Sequence, residues 1–265
     1  MGGPAVSAPV FLTEPGELDG VTAGGTFLLG GAEGRHAGVV QRRAPGERVD
    51  VVDGRGVRLV ARVAAATADG VVLDVEDRVE EPGPRVRLVL VQALAKGDRD
   101  ELAVEAATEL GADVVVPWQA ERSVVVWRGE RAAKSRARWL GTVRAAAKQS
   151  RRARVPDVEA ALDTAGLARR AAEVVGAGGA VVVLHEEATT PLAAVPLPGA
   201  PDVPVDEPVD VLVVVGPEGG IAERETERLL AAGAVAARLA PHVLRTSTAG
   251  PVALALLAQR LGRWG

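Results

Sequence analysis

Residues 209–221, VDVLVVVGPEGGI, constrain the fold more than any other stretch. The run Val211-Leu212-Val213-Val214-Val215 offers no polar face in either alternation, so it suits a strand covered on both sides within a parallel sheet. It stops at Gly216-Pro217-Glu218-Gly219-Gly220, and a polar helical pattern follows from Glu223. Gly219 and Gly220 permit positive φ and close backbone approach, while Pro217 stiffens the turn. Open α/β sheets hold their ligands in loops at the carboxyl ends of such strands. On this loop alone, a plain strand-to-helix turn explains the glycines equally well.

The chain has 265 residues, 48% hydrophobic and 25% charged, an ordinary globular composition that fits one large or two smaller domains. No apolar segment approaches the roughly 18 residues of a membrane helix. The opening MGGPAVSAPVFL lacks a basic n-region and a long apolar h-region, so no signal peptide is expected. The absence of cysteine excludes disulfides, thiol nucleophiles and cysteine-ligated zinc. The three histidines are far apart and show no metal-ligand spacing. These features point to a cytoplasmic protein with no metal and no membrane partner.

Residues 1–80 read as a small β domain. Arg48 to Asp53 alternates, Asp53-Gly54-Arg55-Gly56 turns the chain, Val57 to Ala65 returns, and Asp69-Gly70 turns it again into Val71 to Asp77. Thr26 to Leu29 forms a further strand. The acidic, proline-bearing residues 76–85 read as a linker to a second domain, residues 81–265. There, strand-like Val86 to Leu94 leads through Lys96-Gly97-Asp98-Arg99 into a helix with Leu102, Ala106 and Leu110 on one face and Gly111 as its C′ residue. Strand Val114 to Val116, the short apolar run Val124 to Val126, a basic helix over 132–150, a helix over 167–175 and strand Ala180 to Leu184 follow. Residues 188–208 read as a proline-rich loop. The alternation of strands and helices argues an α/β fold with a mainly parallel sheet.

The net charge of −4 hides an asymmetry. Arg122, Arg128, Arg131, Lys134, Arg136, Arg138, Arg144, Lys148, Arg151, Arg152 and Arg154 face only Glu130 within that span, with Trp127 and Trp139 among them. Such a local excess is an electrostatic footprint for a polyanion, with a self-repelling solvated face as the alternative. His36, beside Arg35, Arg42 and Arg43, is either a contact to RNA backbone or plain surface.

A helix ends the chain, running to about Leu261, with Pro251 expected in its first turn and Thr246 or Thr248 as N-cap. Before it stands Pro241-His242-Val243-Leu244-Arg245-Thr246-Ser247-Thr248-Ala249. GPEGG followed some twenty residues later by P-x-V-L-R-T-x-T-A resembles the SPOUT RNA methyltransferases. Within them it is similar to the bacterial family that methylates N3 of a uridine in small-subunit ribosomal RNA. Further matches are Lys96 to Arg99, Ala107 to Gly111, Glu121 to Val125, Gln149-Ser150 with Arg154-Val155-Pro156, and Leu184-His185-Glu186. In the first domain, His36, Arg42-x-x-Pro45-Gly46 and Val52-Asp53-Gly54 match as well.

The resemblance implies a PUA-like β-barrel ahead of a trefoil-knotted SPOUT domain, a homodimer, and S-adenosylmethionine as cofactor. It implies three cofactor loops: Leu184, His185 and Glu186; Gly216, Pro217, Glu218, Gly219 and Gly220; and Leu239, Pro241, Val243, Leu244, Thr246 and Thr248. It implies 16S ribosomal RNA, within the small ribosomal subunit, as partner, with His36, Arg42, Lys96, Arg99, Arg122, Arg128, Arg151, Arg152 and Arg154 facing it. Arg245 is the candidate catalytic residue, steadying negative charge on the uracil. Many family members carry glutamate where this chain has Ser247, so a carboxylate base at that position is untenable here. Ala222 stands where serine is common, which removes a helix cap at about 1 kcal/mol.

Three rival readings have discriminating features. A SPOUT enzyme of another specificity would share fold and cofactor, and mapping the modified nucleotide separates it. A non-enzymatic RNA-binding assembly factor would not need intact GPEGG and LRT loops. A nucleotide-dependent enzyme lacks support, since neither G-x-x-x-x-G-K-[ST] nor G-x-G-x-x-G is present.

Overall fold

The computed structural model of the chain describes residues 8–199 and 208–264. The first seven residues, read above for a leader, and residues 200–207 of the proline-rich loop lie outside the described residues. The chain divides into two compact units, Met1–Gly83 with Ala147–Val155, and Pro84–Ala146 with Pro156–Gly265.

The first unit contains β1 (Val10–Leu12), β2 (Thr26–Leu29), the short helix α1 (Gly31–Arg35), β3 (Arg48–Val52), β4 (Val57–Ala66) and β5 (Val71–Glu80). The strands lie in the order β1-β3-β4-β5-β2, antiparallel except for β1 on β3. Register shifts between Val60 and Ala61 and between Val63 and Ala65 bend β4, and bulges of this kind curl a sheet. Phe11, Leu18, Leu29, Val51, Leu59 and Leu73 fill its concave core.

The turn between β3 and β4 follows from Asp53, whose Oδ1 accepts from the Arg55 and Val57 backbone N–H groups at 2.7 and 3.0 Å. The expectation that the linker starts at residue 76 is corrected. Residues 76–80 continue β5, with Val79 on Arg58 and Glu80 on Val57. Their side chains are mostly solvent-facing, so a charged, exposed strand has the composition of a linker. Residues 147–155 belong to this unit for chemical reasons. Ala153 packs on Val10, Leu12 and Val52, Lys148 Nζ binds Glu33 at 2.6 Å, and the Val155 N–H bonds the Gly54 carbonyl at 2.9 Å.

The second unit contains β6 (Val86–Ala93), α2 (Arg99–Glu109), β7 (Val114–Gln119), α3 (Gly129–Gln149, whose last turn falls in the first unit), β8 (Asp157–Val158), β9 (Leu162–Asp163), α4 (Thr164–Gly176), β10 (Ala180–Leu184), β11 (Val209–Val215), α5 (Glu223–Ala231), β12 (Val235–Ala237) and α6 (Thr246–Arg260). Among the described residues these strands form one seven-stranded sheet, β12-β10-β11-β6-β7-β8 with β9 also beside β7, and every pairing is parallel. All of β11 is buried, as its unbroken apolar run requires. Leu88, Leu90, Val211, Val213 and Val215 meet Leu254 and Leu257 of α6 on one face. On the other, Val89, Val91, Leu212 and Val214 meet Leu167 and Ala171 of α4 and Leu229 of α5. Each of these valines and leucines contributes about 1.5–3 kcal/mol on burial.

Two helix expectations are corrected. Leu102 of α2 points to solvent, and the buried residues of that helix are Asp100, Ala103, Val104, Ala107 and Thr108. These side chains are mostly small or polar, so hydrophobicity alone does not reveal them, and the helix packs mainly on α6 and also on β6. Gly111 does close α2 as expected, at φ +102°, with Ala112 N–H on Ala107 O and Gly111 N–H on Thr108 O. At α6, neither threonine caps. Arg245 is the flanking residue, Pro251 sits in the second turn, and the Thr246 hydroxyl is turned inward onto the Gly216 carbonyl at 2.8 Å. The described part of the proline-rich loop is packed: Leu192, Val195 and Leu197 are buried, and Arg260 binds the Leu192 and Val195 carbonyls. Among the described residues, no helix is long and apolar enough to cross a membrane.

Candidate active-site cleft

Strands β6, β11 and β10 are neighbours in the second unit, and their carboxyl ends bring several loops together. Leu184-His185-Glu186 leaves β10, Gly216 to Gly220 leaves β11, and Val243 to Thr246 leads into α6. They enclose a cleft of about 480 Å³, within the range of small-molecule sites. Its walls include the expected Leu184, His185, Glu186, Gly216, Pro217, Glu218, Gly220, Val243, Leu244, Arg245 and Thr246. Arg99 lines it too, together with Val215, Ile221 and Ala249, three apolar residues of the quoted motifs that were not among the expected cofactor contacts. A shallow recess of about 80 Å³ shares Leu184, His185 and Glu186 and adds Leu239 and His242. Gly219, Pro241 and Thr248 line neither space.

The GPEGG loop is a tight turn in which the Gly220 N–H, at φ +72°, bonds the Pro217 carbonyl at 2.9 Å. A Cβ at Gly216 would meet Ile221 Cγ1 at 2.7 Å, so only glycine keeps the cleft wall this thin. The Gly219 carbonyl accepts from Arg122 Nη1 at 3.0 Å. Glu218 accepts from Arg99 Nη1 at 2.6 Å and from the Lys96 backbone N–H at 3.2 Å. Burial pushes its carboxyl upward, but hydrogen bonds from its own backbone, Arg99 and Lys96 outweigh that and hold it below the usual range. His185 Nδ1 accepts from the Glu187 backbone N–H at 3.2 Å, so the neutral ring carries its proton on Nε2 and is a donor there.

Two buried carboxylates support the loops, and neither was legible from a motif. Asp100, at the start of α2, accepts from the Glu101 N–H at 2.9 Å, and burial raises its pKa to about 6. Glu225 accepts from the backbone N–H of Glu121 at 3.0 Å and of Ala222 at 3.2 Å, and from the Thr164 hydroxyl. Its bond to Ala222 serves the start of α5, where a serine cap is missing.

The residues expected to face RNA divide between the units. His36 and Arg42 lie on and just after a π-helical turn over His36–Val40, where His36 Nε2 contacts Gln41 Nε2 at 2.9 Å and Arg42 adopts φ +52°. Arg151 is exposed and Arg152 half-buried, while Arg154 donates to the Glu81 carbonyl at 2.7 Å. In the second unit Lys96, Arg99 and Arg122 sit around the GPEGG loop and Arg128 is exposed.

A parallel sheet with a backbone-rich cleft at its strand ends defines an α/β protein that binds a small molecule, and residues 81–258 match the model of the RNA methyltransferase domain. The chain is 45% identical over 241 residues to the ribosomal RNA small subunit methyltransferase E of Mycobacterium bovis, covering 91% of this chain and 89% of that protein. It is 31% identical over 234 residues to the protein of the same name from Bacillus subtilis, covering 88% and 90%. The chain therefore belongs to the ribosomal RNA small subunit methyltransferase E family of RNA methyltransferases. The crystal structure of that enzyme from Neisseria gonorrhoeae, bound to S-adenosyl methionine, matches with a TM-score of 0.79 and 25% identity over 96% of this chain and 98% of that one. A structure from Legionella pneumophila in complex with the bound cofactor SAM matches with a TM-score of 0.77 and 26% identity, over 96% and 98%.

Proposed function

We propose that this chain is a cytoplasmic S-adenosylmethionine-dependent methyltransferase acting on N3 of a specific uridine in 16S ribosomal RNA of the small subunit. The observation that carries the reading is the cleft itself, built at the carboxyl ends of β10 and β11 from the loops that the family resemblance assigns to the cofactor. Its chemistry fits that cofactor. Leu184, Val215, Ile221, Val243 and Leu244 offer apolar walls for an adenosine, glycine-loop backbone offers donors and acceptors, and Glu186 and Glu218 put negative charge beside a sulfonium. A trefoil knot in the domain of residues 81–265, a PUA-like RNA-binding barrel over residues 1–80 and a homodimer belong to the same reading. Exposed Leu102 on α2 and Val252 and Leu256 on α6, helices that pack together, supply an apolar surface suited to a second copy.

When bound, the cofactor supplies an activated methyl group. The protein's task is to hold the uracil N3 in line with it and to favour loss of the N3 proton. Arg245, exposed on the cleft wall, offsets the negative charge that this loss leaves on the uracil carbonyls. Ser247 is no base, and Glu218, held below its usual range by Arg99 and Lys96, is a weak one. The acceptor is then Glu186 or water, and the pH–rate profile of Glu186→Gln distinguishes them: an unchanged profile assigns water.

The test is methylation of small ribosomal subunits from a strain lacking the enzyme. An N3 methyl blocks the Watson–Crick edge, so reverse transcription should stop at one uridine. Arg245→Ala should bind cofactor normally in calorimetry and lose about 10²–10³ in kcat. A stop at another base, or a ribose methyl group, would overturn the N3 assignment.

A further inference from the structure

Along β6, Leu88 and Leu90 alternate onto the face covered by α6, and Gln92 is the next residue in that series. Strand periodicity asks for an apolar side chain there, yet a fully buried carboxamide occupies it. Gln92 Nε2 donates to the Ala93 carbonyl at 3.1 Å and to Thr246 Oγ1 at 2.9 Å. A carbonyl only accepts, so the amide nitrogen rather than the oxygen must face this way. Because Thr246 accepts from Gln92, its single hydroxyl proton goes to the Gly216 carbonyl, at 2.8 Å. Oε1 is buried and has no hydrogen-bond partner among the described residues.

Gly216 opens the loop after β11, and Thr246 follows Arg245. Two hydrogen bonds thus tie two walls of the cleft to a central strand, through a residue 154 positions from its partner in sequence. We infer that Gln92 is a positioning residue: it orients the Thr246 hydroxyl so that the GPEGG loop and the Arg245 loop are held in one geometry for cofactor and uracil. The inference deepens the methyltransferase reading and rests on it.

The decisive variant is Gln92→Met, similar in length and without polar atoms. Hydrogen exchange of amides in segments 216–221 and 245–250 should accelerate about tenfold, and the Kd for S-adenosylmethionine should rise about tenfold, the scale of one buried hydrogen bond. Its melting temperature should change little, because removing the unpartnered Oε1 offsets the donor lost to the Ala93 carbonyl and Thr246 Oγ1. Thr246→Val should show the same exchange, and the double variant should be no worse than either single one. Thr246→Ser, which keeps the hydroxyl, should keep wild-type exchange protection. Wild-type exchange and affinity in Gln92→Met would overturn the inference, as would losses in every variant that merely track melting temperature. Failure of the wild type to bind the cofactor is a different result. It would sink the methyltransferase reading and with it the cofactor role of Gln92, while exchange would still report the tie.

Discussion

One missing methyl group lets α6 settle onto the sheet of the second unit. A Cβ at Gly250 would lie 2.7 Å from Leu90 Cδ1 and 3.2 Å from Val215 Cγ2, where α6 rests on β6 and β11. Gly250→Ala should therefore cost about 1–3 kcal/mol, seen as a lower denaturation midpoint with an unchanged slope. Asp100 makes a pH-dependent contribution. Its folded pKa of about 6 lies above the ordinary 3.8, so folding takes up a proton between those values. The stability it contributes is full below pH 3.8, declines as pH rises through 6 and is gone at neutrality, at most about 3 kcal/mol for that shift. Asp100→Asn should flatten this decline and melt above the wild type at pH 7. At this scale the sequence revealed the cleft loops, since glycines and the L-R-T motif are local. It did not reveal Gln92, Glu225 or Asp100, because what makes them matter is a partner far along the chain or a degree of burial.

Elements were legible where a single pattern decided them. The Val211 to Val215 run reads as a doubly covered strand because every residue is apolar, and Gly111 reads as a helix end because only φ > 0 completes that cap. Helix α2 was misjudged on its buried side, because alanines rather than leucines are buried there. The end of β5 was misjudged because its exposed residues are charged. At α5, order depends on a carboxylate from inside the helix. Glu225→Ala would leave the Glu121 and Ala222 N–H groups and the Thr164 hydroxyl without their acceptor, at about 3 kcal/mol. Glu225→Gln, which keeps one oxygen, should lose clearly less in the same denaturation series.

For the molecule as a whole, the charge asymmetry makes a prediction that the net charge of −4 conceals. Affinity for single-stranded ribosomal RNA should fall linearly in log–log form with salt. Replacing exposed Arg128 by alanine should reduce the slope by about 0.7 if its phosphate contact is made. An unchanged slope would remove Arg128 from the RNA surface.

The membership of residues 147–155 in the first unit also has a consequence in time. A ribosome releases β1 to β5 early, but Lys148, Ala153 and Val155, which close that unit's packing, emerge 65 or more residues after Gly83. At 5–20 residues per second this is a wait of roughly 3–13 s or more. During it, Val10, Leu12 and Val52 stay open to solvent or chaperone, and the nascent chain is a substrate for whichever arrives first.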